Sequence, residues 1–269
     1  MKSYFNEETG KWNHRFRQSL LNTASICAER ARLTLLEEMP YDHTDSAGMG
    51  TAVHAGIEAE LSGKVGSYEQ GLEVIEEAWW EEQRQPDFKW VKHSGNTAWK
   101  TIQVYWGHWY NQYDPHSRHQ RGWELEHPFL YTVHEDEHRL IEMSGTYDAY
   151  DGFKLTDWKT SGRGPYDVQE KKRWAIQPTV YSQAVFLETG NNPPFEFVVM
   201  HADGLQRLTV MRDERDWAWL AETCVGYATM IEAELPAWPK VDQSWLCSRK
   251  YCSAWDRCKG KHYSEENTQ

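Results

Sequence analysis

The chain has 269 residues, 39% of them hydrophobic, with 15 Trp, 14 Tyr and 8 Phe and a formal net charge of −12. That is enough for one large domain whose core leans on aromatic rings. No run of eighteen apolar residues occurs, which excludes a membrane-spanning helix, and no G-x-x-x-x-G-K-[ST] loop occurs, which excludes a built-in ATP-driven motor.

The opening Met1-Lys2-Ser3-Tyr4-Phe5 lacks the apolar stretch of a signal peptide, so a soluble, cytoplasmic protein is expected. Residues 1–22 are polar and aromatic and read as an arm packed on the body. Ser25 to Met39 reads as a helix ended by Pro40, and Gly50 to Leu61 as a second helix after a loop. From Gly71 to Tyr113 the apolar spacing is helical, with Leu72, Ile75 and Trp79 and then Ile102, Trp106 and Trp109, interrupted at Pro86 to Asn96. We read residues 62–115 as a helical insertion ahead of a sheet. Its tryptophans suit packing against the body, with base stacking as the alternative.

Strands are predicted at Glu124–Thr132, Arg139–Tyr147, Gly152–Thr160, Phe195–Ala202 and Leu205–Met211, the last two joined by a hairpin turn at Asp203-Gly204. A helix before Gly190 and a longer one over Glu214–Leu235 complete an α/β pattern. Pro178 would kink a helix that starts near Arg173 and suits the first turn of one that starts at Gln177.

The chemistry concentrates around one turn. Asp148 lies in Gly145-Thr146-Tyr147-Asp148, and nine residues later Asp157 opens Asp157-Trp158-Lys159-Thr160-Ser161, with Asp151-Gly152 as the turn between. Alternation puts Asp157 and Lys159 on one face of the second strand. Two other acid-x-Lys triplets, at Asp87 and Glu170, lack any strand pattern. Two carboxylates and an ammonium at a sheet edge suit metal-assisted cleavage of a phosphodiester. The carboxylates hold Mg²⁺ or Mn²⁺ and the lysine offsets charge growing on phosphate. Eighteen residues beyond Lys159, Gln177 and Tyr181 stand i and i+4 on the next helix, so their polar ends share a face.

G-x-x-D, D-x-K-T-S and Q-x-x-x-Y in this order resemble the PD-(D/E)XK nuclease superfamily. The RecB-like branch is the nearest match, with the AddB nuclease domain and the CRISPR-associated iron–sulfur exonucleases. Gly50-Thr51-Ala52-Val53-His54 matches that branch's G-T-x-x-H, and the resemblance runs from about Cys27 to Cys258. It implies a restriction-endonuclease-like core, a central mixed sheet flanked by helices, in a single nuclease domain over residues 1–269. It further implies that His54, Asp148, Asp157 and the backbone carbonyl of Trp158 ligate the metal. Lys159 would orient the attacking water, and Gln177 and Tyr181 would hold the nucleic-acid backbone. Glu126 matches a looser acidic position, with a solvated strand residue as the alternative; His54 has a core histidine as its alternative.

Cys247, Cys252 and Cys258 form a C-x4-C-x5-C cluster within residues 240–262. Three clustered thiolates need a fourth ligand. In the iron–sulfur members that ligand precedes the histidine motif, the place Cys27 occupies here, although their first C-terminal gap is usually x2. Closing a loop of about 220 residues costs roughly 5 kcal/mol, and structural metal binding can supply on the order of 10 kcal/mol. The resemblance implies a 4Fe–4S cluster, with Zn²⁺ as the alternative. Cys224 reads as a core residue.

A net charge of −12 disfavours nucleic acid as a ligand, but its distribution is uneven. Lys154, Lys159, Arg163, Lys171, Lys172 and Arg173 bracket the site, and Arg249, Lys250, Arg257, Lys259 and Lys261 surround the C-terminal cysteines. The expected activity is exonucleolytic hydrolysis of DNA at single-stranded or free ends, in repair, recombination, CRISPR adaptation or phage DNA metabolism. Partners would be DNA and recombination or CRISPR-adaptation proteins. The rivals are a non-catalytic DNA-binding or assembly subunit and a zinc-stabilised endonuclease.

Overall fold

Strand β4 (Arg139–Tyr150) is the axis of the fold, because three other strands pair with it. In the computed structural model, residues 2–36, 43–114, 118, 122–169, 176–241, 246–249 and 251–259 are described. Along one edge β4 runs antiparallel to β3 (Glu124–Glu135). The other edge is shared. β2 (Lys11–Arg17) lies parallel to residues 139–144, and β5 (Leu155–Ser161) meets only Ala149 and Tyr150. Between those two partners Gly145, Thr146 and Tyr147 pair with β3 alone, so the sheet forks there.

β5 continues into parallel β6 (Phe195–His201) and antiparallel β7 (Gly204–Val210), and β1 (Lys2–Asn6) adds to β2. The seven-stranded mixed sheet has the order β1-β2-β4-β5-β6-β7, with β3 branching from β4. The amino-terminal stretch is therefore not an arm: its alternation buries His14 and Phe16 beneath the sheet and makes it two strands.

Helices cover both faces. On one, α1 (Gln18–Ile26), α6 (Ile176–Thr189) and α7 (Glu214–Glu232) pack Leu20, Val180, Tyr181, Val185, Leu220 and Cys224 against Met143, Tyr147, Leu155 and Phe197. On the other, α3 (Asp45–Leu61), α4 (Tyr68–Gln83) and α5 (Gly95–Gln112) bury Val53, Ile57, Ile75, Trp79, Trp106 and Trp109 against Trp158, Val198 and Met200. Phe197 and Val198, neighbours on β6, feed opposite cores because successive strand side chains alternate. Trp79, Trp106 and Trp109 are core residues, which removes them as base-stacking candidates. The α3–α4 and α4–α5 crossings are close. A Cβ on Gly56 would meet Ile75 at 2.4 Å, and one on Gly71 would meet Trp106 at 2.3 Å.

Several boundaries differ from the sequence expectation. The helix expected over Ser25–Met39 breaks at Cys27, which is extended (φ −158°, ψ 108°) between α1 and the short α2 (Ala28–Ala31), followed by a π-helical turn at Arg32–Leu36. Residues 37–40, where Pro40 was to end it, lie outside the described residues. α3 starts at Asp45 rather than Gly50, because the Thr44 side chain accepts the Ala47 amide at 3.3 Å and caps the helix. Asp45 is fully buried and accepts from the amides of Val91, Lys92 and His93, tying the α4–α5 connection to the start of α3. β5 starts at Leu155 rather than Gly152, since Asp151 Oδ1 takes the amides of Phe153 and Lys154 into a turn. Among the described residues no helix is long and apolar enough to cross a membrane.

Candidate active site

The fork in the sheet is where the site forms. The N–H and C=O of a strand residue point to the same edge. At Trp158 that edge faces the gap left where β4 and β5 diverge. Side chains fill it: Asp148 Oδ2 accepts the Trp158 amide at 3.1 Å, and His54 Nε2 lies 2.6 Å from the Trp158 carbonyl oxygen. His54 comes from α3 on one side of the sheet and Asp148 from β4, with His54 Nδ1 3.6 Å from Asp148 Oδ2.

Asp157 is fully buried one residue before Trp158. Its Oδ1 accepts from Lys159 Nζ at 2.7 Å and from Gln177 Nε2 at 2.5 Å, while Gln177 Nε2 also reaches the Tyr181 hydroxyl at 3.3 Å. The second oxygen, Oδ2, is buried with no hydrogen-bond partner. A buried carboxylate oxygen without a donor is costly unless a cation or water meets it. Gln177 and Pro178 lie in the first turn of α6, where proline's missing N–H costs nothing. Residues 170–175, including Lys171, Lys172 and Arg173, lie outside the described residues, as do Lys250 and Lys261.

Glu126 enters the site through its backbone. On β3, Leu125 pairs with Ala149 and His127 with Tyr147, which leaves Glu126 across from Asp148. Its φ is +47°, the left-handed region, which a residue with a side chain occupies only when its surroundings hold it there. Among the described residues, His54, Glu126 and Asp148 are the set whose ligand atoms, one from each, all lie within 4.8 Å of one another. Asp157 is not in that set. It adjoins it through Lys159, whose ammonium acts on both Asp157 and Asp148.

The electrostatics follow from burial and crowding. Burial pushes the Asp157 carboxyl up, Lys159 opposes this, and Asp148 adds to it. Lys159 is held above the usual ammonium range: burial pulls it down, but Asp157 and Asp148 outweigh that. Glu126 is pushed up to about 7 by partial removal from water and then by the Asp148 and Glu58 carboxylates. Burial lowers His54 against the opposing pull of Asp148. Too many negative groups share this space for all to ionise without a cation. Together with the bare Oδ2 of Asp157, this crowding fits a divalent ion held by oxygen and imidazole ligands.

A second constellation lies at the chain ends. Cys27, Cys247, Cys252 and Cys258 line one cavity, with Arg30, Lys240 and Lys259. Cys27 is brought there by the break between α1 and α2, and Cys258 by the short helix α8 (Trp255–Cys258). A latch fixes the two segments: Glu29 Oε2 accepts the Trp238 amide at 2.7 Å, and the Glu29 amide donates to the Pro239 carbonyl at 3.1 Å. Burial would raise the Glu29 carboxyl, but Arg32 and the Trp238 amide outweigh it and hold it low. Cys224 stands apart as a core residue, its thiol pushed up to about 12 by burial.

The family pattern described as the PD-(D/E)XK nuclease superfamily matches residues 15–259. Among solved structures, a candidate exonuclease from Eubacterium rectale is similar at 11% identity and a TM-score of 0.55, covering 89% of this chain and 88% of that one. At that identity the likeness speaks to the fold. A second, SSO0001, shares 15% identity over 90% of this chain and 98% of its own, at a TM-score of 0.36. No curated protein matches the chain.

Proposed function

The chain belongs to the PD-(D/E)XK nuclease superfamily, and on that premise we propose that it hydrolyses DNA phosphodiesters from single-stranded or free ends with Mg²⁺ or Mn²⁺. The observation that carries this reading is the buried Asp157 oxygen without a partner, beside the clustered ligand atoms of His54, Glu126 and Asp148. The ion would be held by His54, Asp148 and Asp157, with Glu126 and the Trp158 carbonyl as further oxygen donors. The chemistry such an ion supplies is hydroxide from water at neutral pH and neutralisation of phosphate charge.

The protein groups do the rest. Lys159 keeps its proton beside two carboxylates, so its ammonium is a fixed positive charge where phosphate charge grows. Gln177 holds Asp157 in one rotamer through Oδ1, which directs Oδ2 away from α6. Tyr181 backs Gln177 through its hydroxyl, and the resemblance implies that the two hold the nucleic-acid backbone. Attack at ends is the favoured mode, as the resemblance to RecB-like exonucleases implies.

In the same reading Cys27, Cys247, Cys252 and Cys258 hold a 4Fe–4S cluster that ties the chain ends together. That the four thiols line one cavity supports a shared group, and the resemblance implies a 4Fe–4S cluster there, with Zn²⁺ as the alternative.

Digestion of end-labelled single- and double-stranded DNA, with and without Mn²⁺, tests the activity. The expected result is progressive shortening from an end that requires the metal and vanishes in Asp157→Ala. Equal cleavage by Asp157→Ala would remove the catalytic reading, and internal nicking of circular DNA would replace the exonuclease with an endonuclease.

A further inference from the structure

We propose that Arg30 is the charge-compensating donor of the cysteine site, stabilising the anionic group held by Cys27, Cys247, Cys252 and Cys258. This rests on the cysteine reading above and adds to it a residue outside the ligand set. Arg30 lines the same cavity as the four cysteines, and its Nε is buried with no hydrogen-bond partner.

Arg30 is half-buried, but its Nε–H is out of water, and a buried guanidinium N–H usually meets a carboxylate. The acid beside it in sequence is already committed: Glu29 takes Arg32 through both oxygens, at 2.8 and 2.9 Å, and the Trp238 amide at 2.7 Å. Arg30 lies in the short α2 that begins directly after Cys27, and both residues line the same cavity. A donor left over in a pocket of sulfur atoms is a plain waste of desolvation unless those sulfurs carry charge. Four thiolates do: even around a divalent ion they leave two negative charges, and N–H groups beside the sulfurs are a recognised means of stabilising such centres. Lys240 is exposed and strongly hydrated and Lys259 lies over the Trp255 ring, so Arg30, with its buried Nε, is the cation best placed to act where water is scarce.

The test compares the full-length protein, as purified under anaerobic conditions, with Arg30→Met and Arg30→Lys. Methionine keeps apolar volume and removes charge and donors; lysine keeps the charge. Iron, zinc and acid-labile sulfide are measured through a time course with a chelator. The expected result is metal loss at least tenfold faster in Arg30→Met and intermediate in Arg30→Lys, with the metal-stripped proteins melting alike. Equal retention by Arg30→Met and the unaltered protein would overturn the Arg30 role while leaving the cysteine site standing. An unaltered protein with no metal at the cysteines would overturn both. Should Arg30→Met not fold, Arg30→Gln with the same chelator time course gives the same decision.

Discussion

Asp148 does for Trp158 what a neighbouring strand would otherwise do: its Oδ2 accepts the Trp158 amide at 3.1 Å where β4 and β5 have separated. One carboxylate therefore serves both the sheet and the site, and substitutions can separate the two duties. Asp148→Asn keeps an acceptor for the amide and removes the charge. It is expected to melt close to the unaltered protein but to lose at least about a hundredfold in cleavage rate. Asp148→Ala should lose cleavage and, in addition, about 1–3 kcal/mol of stability for the unsatisfied amide. Thermal melts beside a cleavage assay check this; equal stability of the two variants would refute the dual role.

Lys159 carries a narrower prediction. Its side chain is one-third exposed and its ammonium is bound to Asp157, which sets a fixed charge beside the site. Lys159→Ala should lower the cleavage rate by about 100–1000-fold while leaving DNA binding within severalfold in Ca²⁺, measured by fluorescence anisotropy. Loss of binding equal to the loss of cleavage would assign Lys159 to substrate capture instead.

Glu126 sets stability against function. With φ at +47°, a glycine there would relieve backbone strain of about 1 kcal/mol. Glu126→Gly is expected to melt no lower than the unaltered protein and to need more Mn²⁺ for half-maximal cleavage. An unchanged metal requirement would return Glu126 to the solvated strand residue it resembles in sequence.

Gly71 tests the packing of α4 on α5. A Cβ at this position would lie 2.3 Å from Trp106, a rigid ring in a packed core. Gly71→Ala should destabilise by about 1–3 kcal/mol despite alanine's better helix propensity. Denaturant titration reads this directly; a stabilised variant would show that α4 can shift away from Trp106 at little cost.

His14 gives a pH prediction away from the site. Burial outweighs the Glu232 contact and lowers its pKa below 6.5. The unfolded chain thus takes up a proton before the folded one does. This contribution to stability is whole above about pH 6.5 and declines as pH falls toward the lower folded value. The melting temperature of His14→Gln should fall less between pH 7 and pH 5 than that of the unaltered protein. Parallel curves would show that His14 does not drive the acid response.

The reading from sequence went furthest where local signals carry the chemistry. Asp157 and Lys159 share a face because strand residues alternate, and Gln177 meets Tyr181 because helix residues four apart do. The amino-terminal strands are not legible in the sequence, although Trp12, His14 and Phe16 alternate on β2, because the polar residues between them mask a short strand pattern. Glu126 is marked in the sequence only by a loose acidic position of the family resemblance. Its place in the site comes from a positive φ and from standing opposite Asp148, and neither is written in Glu-Leu-Glu-His-Pro.

By itself the chain determined the order of its elements, the acid-x-lysine strand, the histidine helix and the spacing of its thiols. Those follow from periodicity and turn chemistry, which act over a few residues. Only the tertiary structure decided that β5 leaves β4 after Ala149 and Tyr150, that Asp157 keeps one oxygen bare, and that Arg30 and Cys27 meet the carboxy-terminal cysteines. Such contacts join residues more than two hundred positions apart. Their energies depend on what every intervening layer leaves buried, exposed or without a partner.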